Sequence, residues 1–243
     1  MTTHNPLVVR AQLAHGISLD PLYPVSLDGL LAAVVWGIHK SRLRATGTPT
    51  VPLIEQTYPP DLDLPLSICG DRTSGEWHWA ATCAHAVDHP TPDPEIRHHT
   101  GYLDTRHLDA TVNRQPVSIP PYKGRYRERR LPTIITLTSA VTWRAHGDID
   151  RVAELLATVD AIGKKRAYGE GRVLKWTVVP DPDPDADEFS AGHLHIDGSW
   201  GRPAPRHCLE RARPGTRHGG TSHGGLRPPY LHPSRRHPIV CPV

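Results

Sequence analysis

Two amphipathic stretches, each bracketed by runs of β-branched residues, constrain the fold of this chain more than any other feature. "VSLDGLLAAVVWGIHKSRLR" (25–44) puts Leu27, Leu30, Leu31, Val34, Val35 and Ile38 on one helical face. Ser26 is placed to cap it, and Lys40, Arg42 and Arg44 close it where cations suit the helix dipole. "DIDRVAELLATVDAIGKKR" (148–166) does the same with Asp148 as cap and Ile149, Val152, Leu155, Leu156, Val159 and Ile162 on the apolar face. Strands are expected before and after each helix: 7–19, 75–87 (alternating Trp77, Trp79, Ala81, Cys83), 131–147 and 172–180.

The order strand–helix–strand–strand–helix–strand predicts an α+β fold: a ferredoxin-like (RRM-like) βαββαβ core with a large insertion between strands 2 and 3 and an irregular C-terminal extension. Right-handed crossovers would put both helices on one face of an antiparallel sheet. The other face is then free, and RNA frequently occupies it. The insertion, 88–130, shows no sustained period. Pro 26 and Gly 20 make up about a fifth of the 243 residues, which fits one core with loop-rich additions. The domain reading is therefore 1–180 for the core with its insertion, and 181–243 for the acidic linker "DPDPDADE" (181–188) plus a Pro-, Arg- and His-rich extension.

Net charge is only +3 but is distributed in blocks. Residues 97–180 carry 15 Lys/Arg against 8 Asp/Glu, and residues 201–243 carry 8 against 1. Residues 1–96 and 181–200 are acidic. Basic blocks on an otherwise balanced chain fit a polyanion partner; the competing reading is solvated faces and tails. No run approaches the roughly 18 apolar residues of a membrane span, and the start lacks a signal-peptide pattern. The four cysteines form no Cys-x-x-Cys pair. A cytoplasmic protein with reduced thiols and no membrane contact is expected.

The stretch "AIGKKRAYGEGRVLKW" (161–176) carries the sharpest chemical signal. Gly163 is expected to end the second helix, with Lys164, Lys165 and Arg166 beside its free carbonyls. Gly169 and Gly171 let the backbone bend and present N–H groups. Phosphate oxygens would satisfy both features. A nucleotide P-loop is excluded, because Gly-Lys-Ser/Thr is missing and the loop follows a helix. The bland alternative is a helix cap with a tight turn into a strand. In the insertion, "PPYKGRYRERRLP" (120–132) interleaves Tyr122 and Tyr126 with Lys123, Arg125, Arg127, Arg129 and Arg130. Arginine grips phosphate and tyrosine stacks on bases; a solvated or partner-docking loop is the alternative.

The helix closing on "IGKKRAYGEGRV" before a final strand resembles the glycine-rich loop of the RAMP superfamily, the RNA-binding backbone and processing proteins of CRISPR systems. "HGISLDPLYPVSLDGLLAAVVW" (15–36) and "RPPYLHPSRRHPIVCPV" (227–243) are similar to the two ends of one RAMP family, the subunit of type IV CRISPR effector complexes that caps the 5′ end of the guide RNA. The resemblance implies a non-catalytic RNA-binding subunit of an antiviral ribonucleoprotein. It implies a loop grip by Gly163, Lys164, Lys165, Arg166, Gly169, Gly171 and Arg172, with Tyr168 beside them, and a thumb-like projection from 88–130. The implied partners are the 5′ segment of guide RNA, the backbone and large subunits and, indirectly, target DNA.

The 17 histidines raise metal and acid–base alternatives. His85 and His89 lack the zinc-protease pattern. The tail set His207, Cys208, His218, His223, His232, His237 and Cys241 matches no finger spacing. No metal and no cofactor are therefore expected. Some RAMP relatives cut CRISPR repeat RNA, and His15, His146 and Tyr168 are the candidates for such acid–base chemistry. No partner pattern marks any of them, so no catalytic residue is assigned. Repeat endoribonuclease and RNA-free protein-docking module remain the two alternatives.

Overall fold

The computed structural model describes residues 4–19, 24–87, 94–101, 111–112, 115–116 and 129–243. In chain order the elements are β1 (Asn5–Leu13), α1 (Leu27–Ala45), β2 (Ile68–Cys69), β3 (His78–Trp79), β4 (His85–Ala86), β5 (Pro94–Gly101), β6 (Thr111–Val112), β7 (Gln115–Pro116), β8 (Arg129–Thr136), β9 (Ala140–Gly147), α2 (Ile149–Leu156), β10 (Val173–Pro180), α3 (Glu188–His193), α4 (Arg206–Glu210), β11 (Thr221–Gly225) and β12 (Arg236–Val240). The fold is mixed α/β, with antiparallel sheets and four α-helices among the described residues.

The main sheet runs β10-β1-β9-β4, and every neighbouring pair is antiparallel. Alternation along β1 sends Leu7, Val9, Ala11 and Leu13 into the core. Their cross-strand partners Ala145, Trp143 and Val141 join them from β9. Helix α1 lays Leu27 and Leu31 over this layer, and α2 adds Val152, Leu155 and Leu156. Both caps act as their sequence implies. The Ser26 side chain accepts from the Gly29 N–H, and the Asp148 side chain from the Arg151 N–H.

The expected 75–87 strand is instead two short pieces, β3 and β4. Residues 77–83 are all buried, so this segment is enclosed on both sides rather than presenting one apolar face. The expected 131–147 strand divides at Leu137. Its first half, β8, leaves the main sheet and pairs with β5 as a ribbon at the base of the insertion; its second half is β9. Helix α2 stops at Leu156, well before Gly163, because Thr158, Val159 and Asp160 are weak helix formers. Val159 and Ile162 still reach the core, but from a returning chain.

The face of the sheet opposite α1 and α2 is not free where Val8, Thr142 and Arg144 lie, all of them buried. Arg144 Nε donates to Asp181 at 2.7 Å and Nη2 to Asp183 at 3.4 Å. Helix α3 packs on β9 beyond them, with Asp187 forming a capping box with Ser190. The acidic segment 181–188 is thus a clamp on the sheet and not a spacer. The C-terminal extension, expected to be irregular, has two helices, the β11–β12 ribbon and a small core in which Trp200, Ala204, Cys208 and Val240 pack with Cys69 of β2.

The extension closes back on α1. Tyr230 Oη donates to the Asp28 carboxylate, 2.6 and 2.7 Å from its two oxygens, and its ring lies 3.4 Å from where a Cβ on Gly29 would sit. The "LDG" of the first helix and the "RPPY" of the tail, which carry the family resemblance, therefore touch. Arg202 is 1% exposed; it donates to the carbonyls of Trp79, Ala81 (2.8 Å) and Leu226 (2.9 Å), and its Nη2 is 3.9 Å from Asp28. Burial pushes the Asp28 carboxyl above its ordinary range, and Arg202 and Tyr230 oppose that shift.

Candidate nucleic-acid interface

The chain between α2 and β10 forms a closed loop with a narrow neck. Ala161 bridges Arg172, the Ile162 N–H bonds the Gly171 carbonyl (2.9 Å), and the Val173 N–H bonds the Asp160 carbonyl (2.8 Å). Residues 163–170 lie between the two sides of this neck. The loop is fastened to the turn after β1: the Lys164 N–H bonds Ser18 O and the Gly171 N–H bonds Gly16 O, each at 3.1 Å.

The three glycines do different jobs. Gly163 (φ +79°) and Gly171 (φ +64°) are packed: an added Cβ would lie 2.7 Å from Ser18 O in the first and would overlap Ile162 O in the second. Gly169 (φ +89°) has nothing within 4 Å and supplies only the left-handed turn. The expected presentation of Gly169 and Gly171 amides to a ligand does not occur, since both donate internally, to Arg166 O and Gly16 O. Nor do Lys164, Lys165 and Arg166 flank helix carbonyls, because α2 has ended seven residues before Gly163.

The tip is nevertheless a cationic protrusion. Lys164, Arg166, Tyr168, Gly169 and Arg172 are exposed, and Arg166–Tyr168 forms a single 3₁₀ turn. Lys165 precedes that turn at φ +60°, a conformation that costs a non-glycine residue about 1–2 kcal/mol. Its Nζ sits 5.5 Å from the Tyr168 ring centroid.

Glu170, between the two glycines, points the other way and is 3% exposed. It accepts from Arg97 Nη1 at 2.8 Å and stands 3.9 Å from His99 Nε2, both on β5. Arg97 also bonds Glu95 at 3.0 Å, and these two carboxylates hold its guanidinium above the usual range. Tyr168 packs on His99 with ring centroids 4.6 Å apart. The loop is thereby pinned to the β5–β8 ribbon. Arg130 and Arg129 open β8 opposite Thr100 and Gly101, the two positions after His99, and both are exposed. Two of the expected basic insertion residues thus begin beside the loop. Tyr122, Lys123, Arg125, Tyr126 and Arg127 lie outside the described residues, as does His89.

Sequence reasoning passed over Glu170, Arg97 and His99. No local signal marks the tie: a lone carboxylate inside a run of cations is as readily solvated beside them, and Arg97 lies 73 positions earlier. The acid–base candidates are not assembled: among the described residues His15, His146 and Tyr168 share no hydrogen bond, and His146 Nδ1 lies 2.7 Å from Ser67 Oγ, which in turn contacts His4. Among the described residues, a group able to hold a metal, Cys69, His78, His193 and Cys208, gathers elsewhere, where the extension joins the body. Cys208 alone among them belongs to the tail set considered from sequence. No helix among the described residues is long and apolar enough to cross a membrane. A family model described as CRISPR type IV associated protein Csf3 matches residues 5–242, and no curated protein matches the chain.

Proposed function

The chain belongs to the Csf3 family of CRISPR type IV associated proteins, and on that premise we propose that it is a non-catalytic RNA-binding subunit of a type IV CRISPR effector ribonucleoprotein. Its task in this reading is to hold the 5′ part of the guide RNA and nucleate assembly with the backbone and large subunits. The observation that carries it is the cationic tip Lys164–Lys165–Arg166 fastened beside the basic start of β8. Phosphates would be met by positive side chains, with the exposed part of Tyr168 offered to a base, and not by a cradle of amides.

We also read the four-stranded sheet with α1 and α2 as a ferredoxin-like core. The order in which the last strand lies beside the first, and the third between first and second, supports this assignment. The β5–β8 ribbon would then be the root of a thumb-like projection. With part of the second sheet face covered by 181–193, binding is assigned to the loop and ribbon and not to the open sheet.

The test is the salt dependence of guide-RNA binding by the purified protein. Replacing Lys164, Lys165 and Arg166 by alanine should reduce the slope of log K against log salt by about 2, at roughly 0.7 per single-strand phosphate contact. An unchanged slope removes the loop from the interface. Discrete fragments after incubation with repeat RNA, abolished by His15→Ala or His146→Ala, would favour a nuclease; purified protein free of nucleotide and unable to bind RNA would favour a docking module.

A further inference from the structure

Four metal-ligating side chains from three distant stretches of sequence meet between the body and the C-terminal extension. Cys69 and His78 are register partners across the β2–β3 ribbon. His193 ends α3, and Cys208 lies in α4. All four are buried, and one donor atom from each lies within 4.8 Å of the other three. Cys69 Sγ is 4.0 Å from Cys208 Sγ, and Cys208 Sγ is 3.6 Å from His78 Nε2. A tetrahedral ion with bonds of about 2.3 Å to sulfur and about 2.0–2.1 Å to nitrogen sets its donors roughly 3.3–3.8 Å apart. The cluster needs only small side-chain adjustments to reach that geometry.

The histidines are oriented as ligands. His193 Nδ1 is 2.8 Å from Phe189 O, and His78 Nδ1 is 3.3 Å from Trp79 O. A carbonyl partner keeps the proton on Nδ1 and leaves the Nε2 lone pair for the centre. His193 Nε2 is buried with no hydrogen-bond partner, an orphan that is otherwise costly to leave. Trp200 and Val240 lie in the same small core, Phe189 stacks on His193 (4.4 Å between centroids), and Arg211 Nη1 stands 4.0 Å from Cys69 Sγ, where it would offset thiolate charge.

We propose that Cys69, His78, His193 and Cys208 bind one zinc ion that staples the C-terminal extension to the body. Two thiolates and two imidazoles match zinc in preference to magnesium or calcium, which take oxygen ligands. Four protein ligands leave no open position, so the ion is structural and does no chemistry on RNA. It would act with the Tyr230–Asp28 contact to hold the tail against the helix that it covers.

The test starts from full-length protein purified without chelator. Elemental analysis should find about one zinc per chain, falling at least roughly tenfold in Cys69→Ser and His193→Ala. Those variants could fail to fold, so the wild-type protein is also exchanged with cobalt. Tetrahedral thiolate coordination gives intense visible d–d bands and a sulfur-to-cobalt charge-transfer band. Stripping zinc should lower the melting temperature and open residues 181–243 to protease. Folded wild-type protein with less than about a tenth of an equivalent of zinc and no such cobalt spectrum overturns the proposal. So does zinc content unchanged in both variants, or a Cys69–Cys208 disulfide in protein purified under reducing conditions.

Discussion

The loop at 163–170 and the C-terminal extension are both rich in positive charge, yet only the extension takes part of that charge into the interior. In the loop, Lys164 and Arg166 reach solvent and the one carboxylate, Glu170, is buried. In the extension, Arg202, Arg227 and Arg235 are buried. Arg227 lies over the Trp77 ring at 4.4 Å and bonds the Gly75 carbonyl, and Arg235 reaches Asp61 at 2.7 Å. Basic composition therefore stays near the surface in the loop but is divided in the extension, where three arginines brace the interior while Arg206, Arg211, Arg213, Arg217 and Arg236 are exposed. Net charge cannot tell these apart; the supply of buried carbonyls and carboxylates does.

The largest expected effect tests the bracing. Arg202→Ala should cost about 3–5 kcal/mol in urea unfolding, since it leaves the buried Asp28 carboxyl without its neighbouring positive charge and several buried carbonyls without their donor. A cost below about 1 kcal/mol would mean that the extension's arginines are as dispensable as surface cations. Next, the glycines separate packing from conformation within the loop. Gly171→Ala should cost about 2–3 kcal/mol or more because its Cβ meets Ile162 O, whereas Gly169→Ala should cost only the left-handed penalty of about 1–2 kcal/mol. Equal costs would show that the neck relaxes freely.

Glu170→Ala should cost about 1.5–3 kcal/mol and, in the RNA-binding reading, also weaken RNA binding, although it removes a negative charge. Tighter binding would show that loop position matters less than net charge. The triple alanine variant at 164–166 should change stability by no more than about 0.5 kcal/mol per site while shifting the salt slope. The smallest effect concerns pH. Partial burial lowers the His146 pKa below its ordinary 6.5, so the unfolded chain binds more protons in the window below that value. Stability contributed there is complete above pH 6.5 and declines as pH falls through the window. A His146→Gln variant should flatten that part of the pH–stability curve.

Much of the scaffold was legible in the chain. The inward faces of α1 (apart from the exposed Ile38) and of α2 as far as Leu156, both caps, the first and last strands and the position of the glycine loop follow from apolar spacing and local capping chemistry, which depend on neighbours a few residues apart. The 75–87 and 131–147 segments were misread because enclosure on two sides and departure to a second ribbon leave the same β-rich signature as one strand. In the loop, the exposed cations were visible, but the internal use of the Gly171 amide and the Arg97–Glu170 tie were not.

Residue order settled α1, the start of α2, the strands β1 and β10, the alternation that buries β1 and the existence of a cationic turn before the last strand. Only the folded chain decided which arginines face water, which glycines are packed, and that Cys69, His78, His193 and Cys208 share one pocket. The reason is range: periodicity and capping are local interactions, whereas the burial of a charge and the gathering of ligands depend on partners more than a hundred residues away, such as Cys208 and His78 (130 positions apart) or Tyr230 and Asp28 (202 apart).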